Sequence, residues 1–372
     1  MKLVRIFKTS YKMSYTHTPK RFIHLSYTLA RPKYTNPESW LVRVAFVSGV
    51  PEKLVPFGNQ VVIYNIHYKG EIQRNGVRYI FPGFKRWQLV FPIAYNRLIK
   101  DLEPGVVLVH GLIFPWQIIM LRKIVGPDVK IICQHHAERP FKDFRKYIFR
   151  WADKYIGAYL FASKTQGEEW VNSKQISSMS KVHEIMGTSS IFYREQKTKQ
   201  GKVYLWIGDL DKNKDPLLTA RAFRKFSKQH SDVQLYMIYQ GSVLEEELKS
   251  IVTTNIHLVG KVEHAKMQEW FNNAGYIISS SHYEGSGIAV CEALSCGCVP
   301  ILTNIPSFRM MTGNGRIGKL FEAGDEPGLL SALEQSYNLD LGSESKRVMD
   351  HFQKELSFEA NARKIMEVVN QL

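Results

Sequence analysis

The hydrophobic pattern is clearest in the second half of the chain, where short apolar runs alternate with segments of helical periodicity. Runs rich in Val, Ile, Leu and Tyr predict strands, and the segments between them repeat apolar residues every three or four positions. Because the runs are apolar throughout, they predict a parallel sheet covered by helices on both faces. The predicted strands are 203–208, 233–241, 256–260, 276–281 and 299–304, and the predicted helices are 216–228, 243–252, 264–273 and 288–296.

The first half shows the same alternation less cleanly. Its predicted strands are 3–7, 60–66, 78–82, 106–110, 130–134 and 156–162, and its predicted helices are 36–49, 91–102, 114–124, 141–152 and 165–173. A polar, Gly-containing segment at 193–202 is the best linker candidate. The sequence therefore predicts an α/β protein with two doubly wound, Rossmann-like domains facing each other across a cleft. Their predicted extents are 1–195 and 196–357, followed by a last helix over 358–372 for which packing back across the hinge is one option.

Charge is unevenly distributed along the 372 residues. The net charge is +16, yet residues 1–200 hold 32 Lys and Arg against 13 Asp and Glu, and the remainder holds 18 against 21. Such a basic half favours a nucleic acid, an anionic membrane surface or a phosphate-bearing substrate, or else serves solubility alone. No zinc-finger spacing, helix-turn-helix signal or aromatic–basic RNA signature accompanies the charge, which disfavours a nucleic-acid-binding module.

Cysteine usage and hydropathy exclude further classes. Three of the four cysteines, Cys291, Cys296 and Cys298, are crowded together, and no second ligand pair at finger-like spacing accompanies them. We therefore expect buried packing residues and no metal site. No stretch approaches the roughly 18 apolar residues of a membrane-spanning helix, and the start MKLVRIFKTSYK lacks an apolar signal core. The expectation is a cytoplasmic protein, with peripheral contact at the inner face of the cell membrane left open.

The densest chemical signal is SSSHYEGSGIAVCEALSCGCVPILTN at 279–304. A predicted strand ends at the serines, a glycine-containing loop follows, and a helix begins near Ile288. Glycines allow a close approach to a ligand, and a helix start presents unpaired N–H groups with a positive dipole, so this segment predicts a diphosphate cradle. Glu284 on the loop and Glu292 one turn into the helix suit sugar hydroxyls better than they suit phosphate.

The spacing Glu284-x7-Glu292, with a serine-ended strand before it and Gly-Cys-Val-Pro after it, resembles the paired-glutamate signature of retaining GT-B enzymes in glycosyltransferase family 4. Further matches extend the resemblance over the second half and part of the first. The segment 206–217 resembles the family's glycine turn and phosphate-binding lysine, and 257–260 followed by 267–273 resembles its nucleotide-base pocket. CQHHAERP at 133–140 resembles its acceptor-domain histidine motif.

This resemblance implies metal-independent, retaining transfer of a sugar from a nucleotide-sugar donor to a saccharide or lipid-linked acceptor, in cell-surface polysaccharide or glycolipid assembly. No cofactor is implied. Glu284 would hold the transferred sugar, Glu292 the ribose hydroxyls and Lys214 the leaving diphosphate. The remaining implied donor-site residues are Gly208, Gly285, Ser286, Gly287 and Ile288. His136 would face the sugar from the opposite domain, although the adjacent His135 remains an alternative.

Two departures from the family pattern bear on this interpretation. Asp209 stands where many relatives carry an arginine, so Lys212 or Arg309 would have to supply the second cation on the diphosphate. The loop KTSYKMSYTHTPK after the first predicted strand also lacks the family's glycine pair. A catalytically inactive GT-B-shaped binder of nucleotide-sugars, or an inactive partner subunit, is therefore the alternative function.

Overall fold

The computed structural model describes residues 21–195 and 200–372, which form two α/β units, each built on its own sheet. The first unit contains β1 Arg21–Leu25, α1 Pro37–Arg43, α2 Ala45–Leu54, β2 Asn59–Ile63, β3 Lys69–Arg74, β4 Val77–Pro82, α3 Arg86–Val90, α4 Ile93–Asp101, β5 Val106–His110, α5 Pro115–Val125, β6 Lys130–Gln134, α6 Arg145–Asp153, β7 Ala158–Phe161, α7 Lys164–Asn172 and β8 Val182–Glu184.

The second unit and the closing helices follow the linker. They contain β9 Gln200–Asp209, α8 Pro216–Gln229, β10 Gln234–Gln240, α9 Glu245–Lys249, β11 Ile256–Gly260, α10 Met267–Asn273, β12 Ala274–Ser279, α11 Ile288–Ser295, β13 Val299–Thr303, α12 Pro306–Met311, β14 Lys319–Phe321, α13 Glu326–Tyr337, α14 Leu341–Glu355 and α15 Phe358–Gln371.

The second sheet has the order β11-β10-β9-β12-β13-β14, and every pair in it is parallel, which confirms the prediction for this half. The chain builds outward from β9 in one direction and from β12 in the other. Ligands of open α/β sheets bind beyond the carboxyl ends of the strands at such a reversal of strand order. The ends of β9 and β12 therefore mark the expected site in this unit.

The first sheet has the order β3-β4-β2-β1-β5-β6-β7-β8, and it is parallel except for β3, which runs antiparallel to β4. The sequence KGEIQR of β3 is largely exposed at the sheet edge, and polar edge strands of this kind avoid unwanted pairing. Its polarity is the reason that the hydrophobic pattern did not predict it. Three strands of this sheet, β1, β3 and β8, were not predicted, and neither was β14 of the second sheet.

Several predicted boundaries in the first half need correction. The strand predicted at 3–7 lies outside the described residues, and the central position of the sheet belongs to β1, whose Phe22, Ile23 and Leu25 are buried. The single helix predicted over 36–49 is wrong, because Val44 leaves helical geometry and separates α1 from α2. In the second half, the helix predicted at 243–252 is limited to the five residues of α9.

The last helix, α15, follows the second unit in the chain but packs on the first sheet. Its buried face, including Phe358, Ile365 and Val369, joins one hydrophobic cluster with Phe22 of β1 and Val50 of α2. The approach is close, because a side chain at Gly49 of α2 would meet the Phe358 ring at 2.6 Å. The chain therefore crosses between the two units twice, once near residue 190 and once near residue 356.

Candidate active site

The loop between β12 and α11 forms the predicted diphosphate cradle. Gly287 starts α11 from the left-handed region, with φ 54, and no side chain in the described chain caps this helix start. A Cβ at Gly287 would lie 2.8 Å from the Phe308 ring, so glycine suits this position sterically as well. The first N–H groups of α11 have no partner within the helix and lie at its positive end. The geometry suits an anion beside Ser286, Gly287 and Ile288.

Lys214 and Glu284 form an ion pair at the mouth of this cradle. Lys214 Nζ donates to Glu284 Oε1 at 2.5 Å, and the side chains are 24% and 13% exposed. Gly208 at the end of β9 gives the lysine room, since a Cβ there would lie 3.2 Å from Lys214 Cγ. Two residues predicted from separate motifs thus meet in one contact, with Gly208 directly behind them.

The turn that presents Lys214 is held by a serine to which the sequence analysis assigned no role. Ser280 is fully buried, and its Oγ lies 2.8 Å from the carbonyl oxygens of both Lys214 and Asp215. Thr219 Oγ1 and Trp206 Nε1 both donate hydrogen bonds to the Ser280 Oγ. Asp215 itself adopts φ 45 and caps α8. Position in a run of three serines gave no signal that would have distinguished Ser280 from its neighbours.

Asp209 and the residues proposed to compensate for it lie apart. Asp209 is exposed at the end of β9, whereas the Asp211 carboxylate accepts the N–H of Lys214 at 2.9 Å and helps to shape the turn. Arg309 donates to the carbonyl oxygen of Asn304 at 2.9 Å. Lys212 is exposed on the same turn as Lys214. Of the two candidates, Lys212 therefore shares the turn that carries the ion pair, and its role on a diphosphate stays a prediction.

Glu292 is buried on α11 and makes an ion pair with a histidine that the sequence analysis did not single out. Glu292 Oε1 lies 2.7 Å from His264 Nε2, and the ring of His264 is half exposed beside Phe192. The hydrogen bond with Glu292 raises the pKa of His264 above its ordinary value, against the opposing effect of partial burial. A carboxylate that is fixed in this way has one oxygen left for a ligand hydroxyl.

This raised pKa predicts a pH-dependent stability difference. The pKa of His264 is higher in the folded protein than in the unfolded chain, where it is near 6.5, so protonation of His264 stabilises the fold. This stabilisation is fully present below the unfolded-state pKa and is lost as the pH rises through the raised folded-state pKa. We expect His264→Gln to lower the free energy of unfolding by up to about 1 kcal/mol at pH 5.5, a limit set by solvent screening of the half-exposed ring. The difference should shrink at pH 9. Urea unfolding of both proteins at the two pH values measures it, and a difference that grew with pH would contradict the pairing.

On the first unit, three histidine rings stack in a row at the carboxyl ends of β1, β5 and β6. His24 and His110 have ring centroids 6.0 Å apart, and His110 and His136 are 5.3 Å apart. One nitrogen of His110 also hydrogen-bonds His136 Nε2 at 3.1 Å. Burial lowers the pKa of His24 to about 4 and that of His110 well below its ordinary value. His136 is therefore backed by neutral imidazoles.

The structure separates His136 from His135. His136 lines a cavity of about 260 Å³ together with His24, His110 and Glu138. His135 is buried on the other side of the strand end, where its Nε2 donates to the carbonyl oxygen of Glu138 at 2.9 Å and its ring packs on Phe161. Opposite directions for neighbouring residues are expected at the end of a strand. His110 and His24 belong to the same cavity, and no sequence pattern predicted them as site residues.

Contacts across the cleft bring the two halves of the site together. A Cβ at Gly285 would lie 2.6 Å from that of Ala137, the residue after His136. Gln166 Nε2 donates to the Glu284 carbonyl oxygen at 3.1 Å. The Arg139 guanidinium lies 3.9 Å from the centroid of the Tyr283 ring. The loop of the second unit therefore rests directly on the histidine segment of the first.

The remaining candidate features are structural. All four cysteines are buried, and Cys298 Sγ donates to the carbonyl oxygen of Phe271 at 3.2 Å. Within residues 21–195 and 200–372 there is no cluster of three or more His, Cys, Asp or Glu side chains placed to hold a metal ion. No helix in this part of the chain is long and apolar enough to cross a membrane.

Comparison with known proteins agrees with this geometry. Residues 189–351 match the family model described as glycosyl transferases group 1. The chain is 25% identical over 279 residues to a phosphatidyl-myo-inositol mannosyltransferase of Mycobacterium leprae, covering 65% of this chain and 71% of that protein. A glycosyltransferase structure from Rickettsia africae matches with a TM-score of 0.71 and 16% identity, covering 95% and 98% of the two chains.

The chain has the GT-B fold. S. aureus TarM also matches, with a TM-score of 0.58 and 18% identity, over 80% of this chain. The chain spans 60% of the length of TarM. The matched group 1 domain includes Lys214, Glu284 and Glu292, and it starts shortly before the second sheet. These findings support a glycosyltransferase, in which the family model covers the second half and the fold similarity covers both halves.

Proposed function

We propose that this protein is a retaining glycosyltransferase of family 4 that uses a nucleotide-sugar donor. Lys214 and the N–H groups at the start of α11 bind the diphosphate, Glu292 binds the ribose, and Glu284 holds the transferred sugar. His136 faces that sugar from the first unit. The roles of Lys214, Glu284, Glu292 and His136 follow from the family resemblance, and the arrangement of these side chains fits them.

The observation that supports this proposal best is the contact of Gly285 with Ala137. Glu284 and His136 each lie one residue from this contact, so the donor loop and the acceptor-side histidine are close neighbours. In retention without a protein nucleophile, an oxygen of the departing phosphate takes the proton of the acceptor hydroxyl on the same face of the sugar. The protein then positions the reactants and stabilises charge on the leaving group, which requires the cationic and N–H groups described above.

We propose a lipid-linked or otherwise anionic acceptor, used in cell-surface polysaccharide or glycolipid assembly at the inner face of the membrane. The basic excess lies in residues 1–200, the half that carries His136, while the donor half is slightly acidic. The donor is itself an anion, so its binding does not account for this asymmetry. The name of the M. leprae relative specifies a phosphatidylinositol acceptor for that protein, which supports an acceptor with a phosphate and a lipid.

Metal independence is a separate prediction. Asp209 and Asp211 lie in the turn after β9, where one oxygen of the Asp211 carboxylate accepts the Lys214 N–H and shapes the turn, and this structural role favours donor binding without a divalent cation. We expect turnover to be unchanged in excess chelator, measured as nucleotide release from the identified donor. Loss of activity that magnesium or manganese restores would assign a metal to this turn instead.

The proposed function is tested with the purified protein and a panel of nucleotide-sugars. Mass spectrometry should detect a free nucleotide released from one donor at a rate that an acceptor increases. Binding of a nucleotide-sugar without release, in the presence of lipid and saccharide acceptors, would instead identify an inactive binder or partner subunit. The absence of both binding and release would contradict a donor site on the second unit.

A further inference from the structure

A second cavity in the first unit has a cationic lining. It measures about 520 Å³ and lies at the start of α3, where the cations Lys69, Lys85 and Arg86 line it, with the His67 ring beside them. The other lining residues are apolar or aromatic, apart from one glycine, and none of them is acidic. Cations gathered around one concave surface raise the local potential and attract anions.

The cations of this cavity have no acidic partners in the described part of the chain. Lys69, Lys85 and Arg86 are exposed and form no ion pair there, although Arg78 on the neighbouring strand is paired with Glu71 at 2.9 Å. The contrast shows that this region pairs its neighbouring arginines with acidic side chains and leaves these three cations available. An external anion is therefore the natural partner for them.

Exposed aromatic side chains follow these cations directly. On α3, Trp87 is 62% exposed, and Phe91, just after the helix, is 63% exposed. Val90 and Ile93 are exposed in the same segment, and so is Trp116 of α5. Helix α5 begins beside α3, and the two helices are joined by a hydrogen bond from Gln117 Nε2 to the carbonyl oxygen of Leu89. Large apolar groups collected in one place mark an interaction surface, and Trp beside cations is typical of the interface of a bilayer.

The cationic cavity also adjoins the cavity that contains His136. Thr28 and Tyr64 line the His136 cavity, and Leu29 and Ile66, one and two residues further along, line the cationic one. No lysine or arginine lines the His136 cavity within the described chain. An anionic group attached to a molecule at His136 would therefore find its cations in the second cavity.

We propose that this surface docks on an anionic lipid bilayer, with the phosphate of a lipid headgroup in the cationic cavity and with Trp87 and Phe91 in the interfacial layer. The docking surface consists of Lys69, Lys85, Arg86, Trp87 and Phe91. This docking proposal depends on the proposed function in one respect, namely that a lipid-linked acceptor reaches His136 from this side. The binding itself requires no donor and no catalysis.

The test is sedimentation of the full chain with vesicles of phosphatidylcholine alone or mixed with phosphatidylglycerol, at low and high salt. We expect binding to the anionic vesicles and release by salt, because such contacts are screened within a Debye length. Lys85→Glu combined with Arg86→Glu should weaken the apparent affinity at least about thirtyfold, since each cation near the surface contributes roughly fivefold. Trp87→Ser combined with Phe91→Ser should weaken vesicle binding at both salt concentrations. This variant should keep its preference for anionic over neutral vesicles.

Two matched double variants serve as controls. Arg224→Glu with Lys228→Glu reverses two exposed cations on α8 of the second unit, and Phe144→Ser with Tyr147→Ser removes two exposed aromatics near α6. Both should bind vesicles as the unmodified protein does. Thermal unfolding of each variant verifies that it is folded. If the α8 control lost as much vesicle affinity as the Lys85 and Arg86 variant, net charge alone would explain the binding. If only the α6 control lost affinity, the membrane contact would lie at α6. Either result overturns the proposal.

Two further results would also overturn it. Binding of inorganic phosphate that depends on Lys85 and Arg86, with no binding to anionic vesicles, would identify a site for a soluble anion. Equal binding to both kinds of vesicle would remove the role of the cations. Donor turnover, measured in the same preparation, keeps the two proposals separate. Turnover without vesicle binding overturns only the docking surface, and vesicle binding without turnover overturns only the glycosyltransferase.

Discussion

Replacing Lys214 by alanine should lower kcat/KM for the nucleotide-sugar about ten- to a hundredfold. Loss of one charge-assisted contact with the diphosphate is worth roughly 1.5–3 kcal/mol. The substitution also removes the cation that pairs with Glu284 in the free site, where that carboxylate is largely buried. Steady-state kinetics with the identified donor measures the effect, and thermal unfolding verifies that the variant is folded.

Lys228→Ala is the matched control, because Lys228 is an exposed lysine on the helix that follows the Lys214 turn. It should retain normal kinetics. Glu292→Ala should reduce turnover to a similar extent as Lys214→Ala, through the ribose rather than the diphosphate. Rates equal to those of the unmodified protein in either site variant would show that the donor does not bind at this loop.

Gly285→Ala should reduce turnover about a hundredfold with little loss of stability. The added Cβ would lie 2.6 Å from the Cβ of Ala137, so the donor loop has to withdraw from the first unit. A displacement of about 1 Å between reacting groups is enough for a hundredfold effect. Gly342→Ala is the control, since its nearest neighbour lies 3.4 Å away at the start of α14.

A second substitution should restore the activity. Ala137 has φ 73, a conformation that glycine adopts without strain, and its Cβ is the atom that clashes. With Ala137→Gly added to Gly285→Ala, the nearest remaining atom of residue 137 lies 3.4 Å away, which is ordinary contact. The double variant should recover most of the lost kcat. Failure to recover would mean that Gly285 acts through its own backbone and not through the contact across the cleft.

In the second half, sequence patterns predicted the strands from β9 to β13 and the motifs between them, because these strands are strongly apolar and the chemistry is local, whereas β14 and the helices α12 to α14 were not predicted. The loop with Glu284, the helix with Glu292 and the turn with Lys214 are short motifs in which neighbouring residues act together. The Lys214–Glu284 ion pair joins two of these motifs, and the reversal of strand order at β9 and β12 explains why they meet.

Patterns were less informative where partners are distant in sequence. His24 and His110 lie on two different strands and His136 follows a third, and no local spacing connects them. The Gly285–Ala137 and Arg139–Tyr283 contacts depend on how the two units face each other, which a pattern along one chain does not encode. The polar sequence of β3 likewise reads as a loop until β4 supplies its hydrogen-bonding partner.

The position of α15 has a consequence for motion. The two crossings between the units are tied to each other, because Ser189 Oγ donates to the carbonyl oxygen of Leu356 at 2.6 Å and Asn361 Nδ2 to that of Thr188 at 3.2 Å. Because the two crossings are joined, we expect the units to move relative to each other mainly by rotation about a hinge at these residues. Such a rotation would displace residues near the hinge little and would separate Gly285 from Ala137. Fluorescent labels on either side of that pair would therefore report entry and exit of substrates directly.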